Sequence, residues 1–357
     1  MHPPAFITSI NGANFARAVK LTTDRINYLN IGLMLVSCVV AFIFPFELFL
    51  FSYAILGPLH YFTEISWLHD RNYFTKATRA RRSWLILIVL TMAVLMYGFV
   101  TSEMKGLAIS PRWEIAMVYL VFVTALTTTL VESKIAKAIL VILPLVALTL
   151  FSSRAPYFIL AYFLITIIHV FIFTGAFILY GALKSRSATG VLSLAVFIIC
   201  AASFFIYAPG ATAYTVGDYA RNSYSSFQSL NAQLLQLFHL GTGASLSDIY
   251  ESRAGLMVMR LIAFAYTYHY LNWFSKTSII KWHEVSKLRS IFIIALWLSS
   301  LALYAYDYVA GMTALYFMSI LHVLLEFPLN HQTFAGIGKE MMRWRANESE
   351  RPLRTSS

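Results

Sequence analysis

Long apolar runs separated by short basic loops leave this chain few ways to fold. In hydrocarbon only a helix or a closed barrel satisfies its own backbone, and a helix needs about 20 apolar residues to cross. Runs of that kind lie near 28–44, 47–68, 84–101, 113–131, 138–152, 157–182, 190–207, 255–274, 290–308 and 311–330. Pro45 parts the first two, because a residue before proline is pushed out of helical geometry, so a tight hairpin is expected there. The run 138–152 is short and contains Pro144. Composition agrees: 59% of residues are apolar and 12% charged, about half the charge of a soluble protein. Mean hydropathy is +0.68. Secreted enzymes, cytosolic enzymes and disordered chains fit poorly. The first run lies well inside the chain without a small-residue cleavage pattern, unlike a signal peptide.

The expected fold is all-α: a polytopic transmembrane helical bundle of about ten spans. It reads as one domain over 1–335, with an outer segment near 208–254 and a cytoplasmic polar tail over 336–357. Charge supplies the orientation. With both termini cytoplasmic, the inner loops and ends collect 21 of the 27 Lys and Arg, the outer loops hold Lys105, Arg112, Arg154, Arg221 and Arg253, and Arg260 lies inside a run. One missed span would invert every later loop, so this bias supports the count and an inner (cytoplasmic) membrane, read as bacterial. The net charge of +11 therefore points to anionic lipid rather than nucleic acid. Cys38 and Cys200 both sit in apolar runs, as small core residues do, and offer no disulfide framework. In the outer segment, 227–240 (FQSLNAQLLQLFHL) has apolar residues at helical spacing and suits the membrane interface.

Ionisable side chains are expensive in hydrocarbon, so those inside runs are candidates for function. The second run carries His60 and Glu64 and ends at His69 and Asp70; the sixth carries His169; the eighth carries Arg260 and His269. Asp307 closes the ninth, and the tenth carries His322, Glu326 and His331. His60 and Glu64 are four apart, as are His322 and Glu326, and such pairs share one side of a helix. Two helices offering His-x3-Glu follow the logic of metal sites built in bundle cores. In the ten-span topology His60, His269 and His322 share the cytoplasmic half of their spans, with His169 nearer the middle. A lone intramembrane histidine is more often a packed residue bonded to a carbonyl or hydroxyl, and His169 alone fits that reading as well as ligation. Arg260 and Asp307 fit structural pairing. Trp67, Trp113 and Trp344, at span ends, fit interface anchors. His239 fits an interfacial side chain, and His283 a solvated one.

Neutral imidazoles with carboxylates and no thiolate suit iron, manganese, copper or zinc. His60, His169, His269 and His322 are the candidate metal ligands. Glu64 and Glu326 are the candidate catalytic acids, either ligating directly or holding a histidine in one tautomer. A membrane interior most easily delivers a lipid or isoprenoid, which makes an iron(II) oxygenase the leading expectation.

The segment Gly57-Pro58-Leu59-His60-Tyr61-Phe62-Thr63-Glu64 resembles the G-x-P-H-G-x-x-D segment of the Brp/Blh family, bacterial membrane β-carotene 15,15′-dioxygenases that form retinal. The match is Gly57, His60 and an acid at position 64, with Glu for Asp; the family's proline and second glycine are out of register. Leu321-His322-Val323-Leu324-Leu325-Glu326 resembles that family's late P-H-x-x-x-x-E type segment. His269, in Thr267-Tyr268-His269-Tyr270, falls where a mid-late family histidine is expected. The resemblance covers about a tenth of the chain. It implies a polytopic fold, a non-haem iron held by His60 and His322, and a carotenoid substrate. The HxxxH and HxxHH boxes of membrane desaturases do not occur. Two other classes stay open: a proton- or cation-coupled transporter using the same His and Glu residues, and a b-type haem protein with two histidines as axial ligands.

Overall fold

The computed structural model describes residues 12–71, 78–103, 111–150, 163–207, 214–243, 245–281 and 283–349, and its regular elements are all helical. Helix α1 covers Gly12–Ile43. Helix α2 is one rod in three pieces: Pro45–Phe51, a wide π segment Ser52–Leu56, and Gly57–Arg71. Then come α3 (Thr78–Glu103), α4 (Pro111–Leu130) and α5 (Lys134–Leu150). Helix α6 opens with a second π segment, Ile168–Phe173, and continues as Thr174–Ser185. After α7 (Ala188–Ile206), three short helices follow: α8 (Asp218–Ser223), α9 (Gln228–Leu237) and α10 (Leu246–Tyr250). The chain closes with α11 (Arg253–Ser275), α12 (Thr277–Ile280), α13 (Lys287–Tyr306) and α14 (Tyr308–Ser349).

Six of these helices are long and apolar enough to cross a membrane, by length and composition among the described residues: Thr23–Ile43, Pro45–Asp70, Ile168–Ser185, Ala188–Ile206, Lys287–Tyr306 and Tyr308–Ala346. Trp84–Gly98 and Ala116–Leu130 are shorter apolar helices. The chain is thus a multi-pass helical membrane protein. Val36, Ile86, Val89, Leu288 and Phe292 stand exposed, which suits a surface solvated by acyl chains. The expected runs 138–152 and 157–182 fall partly on 151–162, outside the described residues, as does the side chain of Trp113.

Local chemistry explains the joints. Pro45 is the first residue of α2, where its missing N–H costs nothing, and Phe44 before it leaves helical geometry at φ −132° and ψ 62°. Between α6 and α7 the chain turns through Arg186 in the left-handed region (φ 49°), and Ser187 caps α7 by accepting from the Gly190 N–H. Gly190 lets the two helices touch: a Cβ there would lie 2.8 Å from the Ala182 Cβ.

Helix α11 is the axis of the bundle. It has the length of a span, but Thr267, His269 and Asn272 make it more polar, and nearly all of it from Val258 to Tyr270 is buried. Helices α1, α2 and α7 pack around it, with α9 and α10 over one end. A second core, including Leu68, Trp84, Val121, Leu324 and Phe327, forms where α14 meets α2, α3 and α4. Between apolar side chains and equally apolar lipid, close packing holds such helices together, rather than exclusion of water.

Two segments differ from the sequence reading. Helix α9 does not lie with its apolar face in lipid: Leu230, Asn231, Leu234 and Leu235 are buried, in contact with α11. Tyr224 hydrogen-bonds Asn231, and the Gln228 amide donates to the Tyr250 hydroxyl at 2.9 Å. Protein polar partners at the bundle end satisfy the polar positions of this helix. Helix α14 does not stop near 336 but continues to Ser349, supported there by a Glu340–Arg343 pair three residues apart. Residues 350–357 lie outside the described residues.

Candidate metal centre

Each candidate ligand is delivered by a different helix, and two of the four helices are wound irregularly to deliver it. In α2 the π segment Ser52–Leu56 ends immediately before Gly57-Pro58, three residues ahead of His60. Pro58 has no N–H for the Ala54 carbonyl four residues earlier, so a regular turn could not close there, and the wide turn takes up the break. Gly57 keeps α11 close: a Cβ would sit 3.3 Å from the Tyr270 hydroxyl. In α6 His169 lies within the π segment itself. His269 projects from mid-α11 and His322 from α14. Helices α2 and α6 each pack against both α11 and α14, so the four form a ring.

Inside the ring the imidazoles meet. His60 Nε2 lies 3.1 Å from His269 Nε2, and His169 Nε2 lies 3.2 Å from His322 Nε2. The pairs face each other, with ring centroids 5.4 Å apart for His60–His322 and 4.7 Å for His169–His269. One nitrogen from each ring falls within 4.8 Å of all the others, and all four residues are buried.

The second nitrogens and the carboxylates divide the work. Thr174 Oγ1 lies 2.9 Å from His269 Nδ1, so a proton on Nδ1 donated to that hydroxyl leaves the Nε2 lone pair facing the centre. Glu326 Oε2 is 3.0 Å from His169 Nδ1, behind the ligating side. Glu64 Oε2 is 3.1 Å from His60 Nε2, on the ligating side itself. The identical sequence spacing therefore leads to different places: Glu64 turns toward the ion position beside its own helix's histidine, whereas Glu326 reaches across the ring to His169. Spacing alone could not separate these two roles.

The donor set fits a metal ion. An ion about 2.0–2.1 Å from imidazole nitrogens sets neighbouring donors roughly 3.0–3.4 Å apart, between right-angle and tetrahedral arrangements, and the two closest pairs fall in that interval. Glu64 and Glu326 are 2% exposed and neither is paired with a Lys or Arg among the described residues. Two carboxylates left alone in an apolar interior are costly, and a divalent cation among neutral imidazoles balances them. The buried cluster of His60, His169, His269 and His322 can hold a metal ion.

Other residues singled out by sequence lie elsewhere. His69, His239 and His283 are exposed. His331 is buried but donates from Nε2 to the Phe122 carbonyl at 3.1 Å. Asp307 caps α14, accepting from the Ala310 N–H at 2.7 Å. Arg260 lies over the Phe42 ring at 5.5 Å. Cys38 and Cys200 are free and buried. At the end of its span, Trp67 donates its Nε1–H to the Ile280 carbonyl at 2.8 Å, and its ring packs edge-on against Trp273 and lines a cavity at the centre. Thr174, Trp273 and Tyr270, none of them evident from sequence, complete the surroundings. The last two have rings 5.6 and 5.2 Å from His60.

Two cavities approach the cluster from opposite ends. One, of about 230 Å³, is lined by His60, Glu64, His269 and Glu326 and runs out past Trp67 and Thr333 to Lys276. The other, of about 220 Å³, is lined by His169 and His322 and by Tyr53, Tyr270 and Tyr316, with Phe227 and Ser229 beside α9. No family model matches the chain, and no curated protein or solved structure matches it.

Proposed function

We propose that this chain is a ten-span protein of a bacterial inner membrane, both termini cytoplasmic, whose four-histidine centre holds iron(II) and oxygenates a lipid or isoprenoid substrate, carotenoids included. The observation that carries the reading is the convergence of four buried imidazole nitrogens within 4.8 Å of one another, with Thr174 and Glu326 behind two of them. Neutral nitrogen donors with a nearby carboxylate and no thiolate suit iron among the available metals. Iron bound there would supply the one-electron chemistry that lets dioxygen attack a double bond.

The chain's own residues would do the rest. Thr174 holds the His269 tautomer, and Glu326 orients His169. Glu64, on the ligating side of His60, either enters the coordination shell or accepts a proton beside it. The apolar cavities admit a hydrophobic substrate from the bilayer and keep bulk water from the reacting atoms. The resemblance of the Gly57–Glu64 and Leu321–Glu326 segments to the Brp/Blh dioxygenases supports the same assignment of His60 and His322. Haem suits the cluster poorly, because four nitrogens gathered within 4.8 Å leave no slot for a macrocycle between two of them.

The test is elemental analysis of detergent-purified protein, followed by oxygen uptake with β-carotene in micelles after anaerobic loading with iron(II). His60→Ala and His322→Ala should each lose most of the bound metal while the protein stays inserted. Stoichiometric metal in both variants would refute the assignment. Cavities at both ends of the cluster favour one second reading, a cation transporter with access from either side. It predicts metal flux into proteoliposomes that Glu64→Gln abolishes, and no oxygen uptake.

A further inference from the structure

A third cavity, of about 320 Å³, lies where α1, α6, α7 and α11 meet. Its lining holds Lys184 and Lys276 with Asn27, Asn30, Asn272 and Ser185, and no Asp or Glu. Much of this polar lining is already engaged. The Asn27 amide donates to Thr189 Oγ1 at 2.9 Å, and Asn30 donates to the Ile26 carbonyl while accepting from Tyr268 and Ser275. The acid of α1, Asp24, has its Oδ1 taken by Thr189 and Ser187 at 2.6 and 3.2 Å. Neither lysine forms an ion pair among the described residues; Lys184 rests over the Tyr180 ring at 5.6 Å. The chamber therefore has two cations and no Asp or Glu in its own lining.

It also adjoins the cavity that reaches the metal centre. Lys276, Asn272, Phe177 and Gly181 line both this chamber and the 230 Å³ cavity that reaches His60 and His269. Lys276 follows His269 by seven residues along α11, about 10 Å of helix. A cationic chamber at that distance from a buried reactive centre, beside a cavity walled by Trp67, Tyr180 and Trp273, matches an amphiphile: charged at one end and apolar along its length.

We infer that the two adjoining cavities bind a lipid with an anionic head group, a carboxylate or phosphate, held by Lys276 and Lys184 with its apolar chain directed to the four-histidine centre. This deepens the proposed function and rests on it for the reactive end alone. A neutral hydrocarbon would leave the part-buried Lys276 ammonium without an anion, whereas a free acid of a polyene or fatty chain supplies one that the exposed Lys184 can also reach. Burial among its neighbours pushes the Lys276 ammonium down to about 8, as expected of a part-buried cation that forms no ion pair.

The full chain in phosphatidylcholine nanodiscs, titrated with cis-parinaric acid and with its methyl ester by fluorescence, tests this. The acid should bind more tightly than the ester. Lys276→Met should weaken the acid by about ten- to a hundredfold, the range for losing a charged hydrogen-bond partner, and leave the ester and the metal content unchanged. Lys276→Arg should restore acid binding, which separates lost charge from damaged folding. Lys184→Met should weaken the acid as well. Equal binding of acid and ester to the wild type, or acid binding undiminished in Lys276→Met, would overturn the inference. Discs of phosphatidylglycerol provide the second arm: acid binding should persist in them, and its abolition would identify the occupant as a bilayer phospholipid and overturn the substrate role. Absence of metal from the wild type with the acid preference intact would sink the metal-centre reading and spare this one.

Discussion

Replacing Thr174 by Val removes one hydroxyl and almost nothing else. The side chains are close in shape, and the new methyl occupies the place from which Oγ1 now meets His269 Nδ1 at 2.9 Å. Both partners are buried, at 1% and 6% exposure, so bulk solvent does not replace the lost bond. An unsatisfied buried donor costs about 1–3 kcal/mol, and that cost falls on the metal-bound state, where Nδ1 must carry the proton. The metal-free protein escapes part of it by moving the proton to Nε2 and sharing it with His60 Nε2, 3.1 Å away. Metal affinity should therefore fall by about tenfold to a hundredfold, the usual range for losing such an outer partner. The assay is cobalt(II) titration of purified full-length protein, read from its visible bands, with circular dichroism on the same samples. Thr174→Ser should bind as the wild type does. The sign is informative. If Thr174 instead donated to Nδ1, Nε2 would hold the proton and could not ligate, and Thr174→Val would leave affinity unchanged or raise it. Either result at unaltered helix content would refute the tautomer argument.

The two carboxylates should separate in the same assay. Glu326→Gln should weaken cobalt binding by about tenfold with the bands unmoved, whereas Glu64→Gln should shift the bands; an unchanged Glu64→Gln spectrum would exclude that residue from the coordination shell. Gly190→Ala should lower the thermal midpoint by the equivalent of about 1–3 kcal/mol, since its new methyl meets the Ala182 Cβ and Cα at 2.8 and 2.9 Å; an unshifted melting curve would show that α6 and α7 yield freely. Binding of cis-parinaric acid, once its carboxyl is ionised, should be strong up to about pH 8 and decline above it, as Lys276 loses its proton near 8. Glu64, Glu326, His60 and His269 face Lys276 across one cavity and Lys184 and Tyr268 across the other, so Lys276→Arg is the control: its decline should vanish over the same interval.

Much of the bundle was legible because hydropathy adds along a helix, and a few ionisable residues stand out against an apolar run. His60, His169, His269 and His322 could be named from that contrast alone. What they touch could not. A spacing of four defines one side of a helix, but not which neighbour waits there: Glu64 stays with His60 while Glu326 crosses to His169. Trp67 sits at a span end, where an anchor is expected, and nothing in that position tells that its ring walls a cavity and its Nε1–H meets the Ile280 carbonyl. Thr174 is one hydroxyl in an apolar stretch, and such residues usually bond their own helix. The run 255–274 was legible as a span, but the central place of α11 was not, because hydropathy says nothing of which helices surround a span. The wide turns were hidden too, since Ser52–Leu56 reads as ordinary apolar helix.

Those wide turns make the site a matter of residue count. Each accommodates one residue more than a regular helix would, and one residue is about 100° of rotation. Losing a single amino acid from Ser52–Leu56 would let α2 wind regularly and swing His60 and Glu64 toward a neighbouring helix or the acyl chains, with every ligand still present in the chain. The same holds for His169 and α6. Drift in length at these two points would silence the centre without altering hydropathy, span number or charge bias, so a degenerate copy would still look intact to any reading that counts motifs.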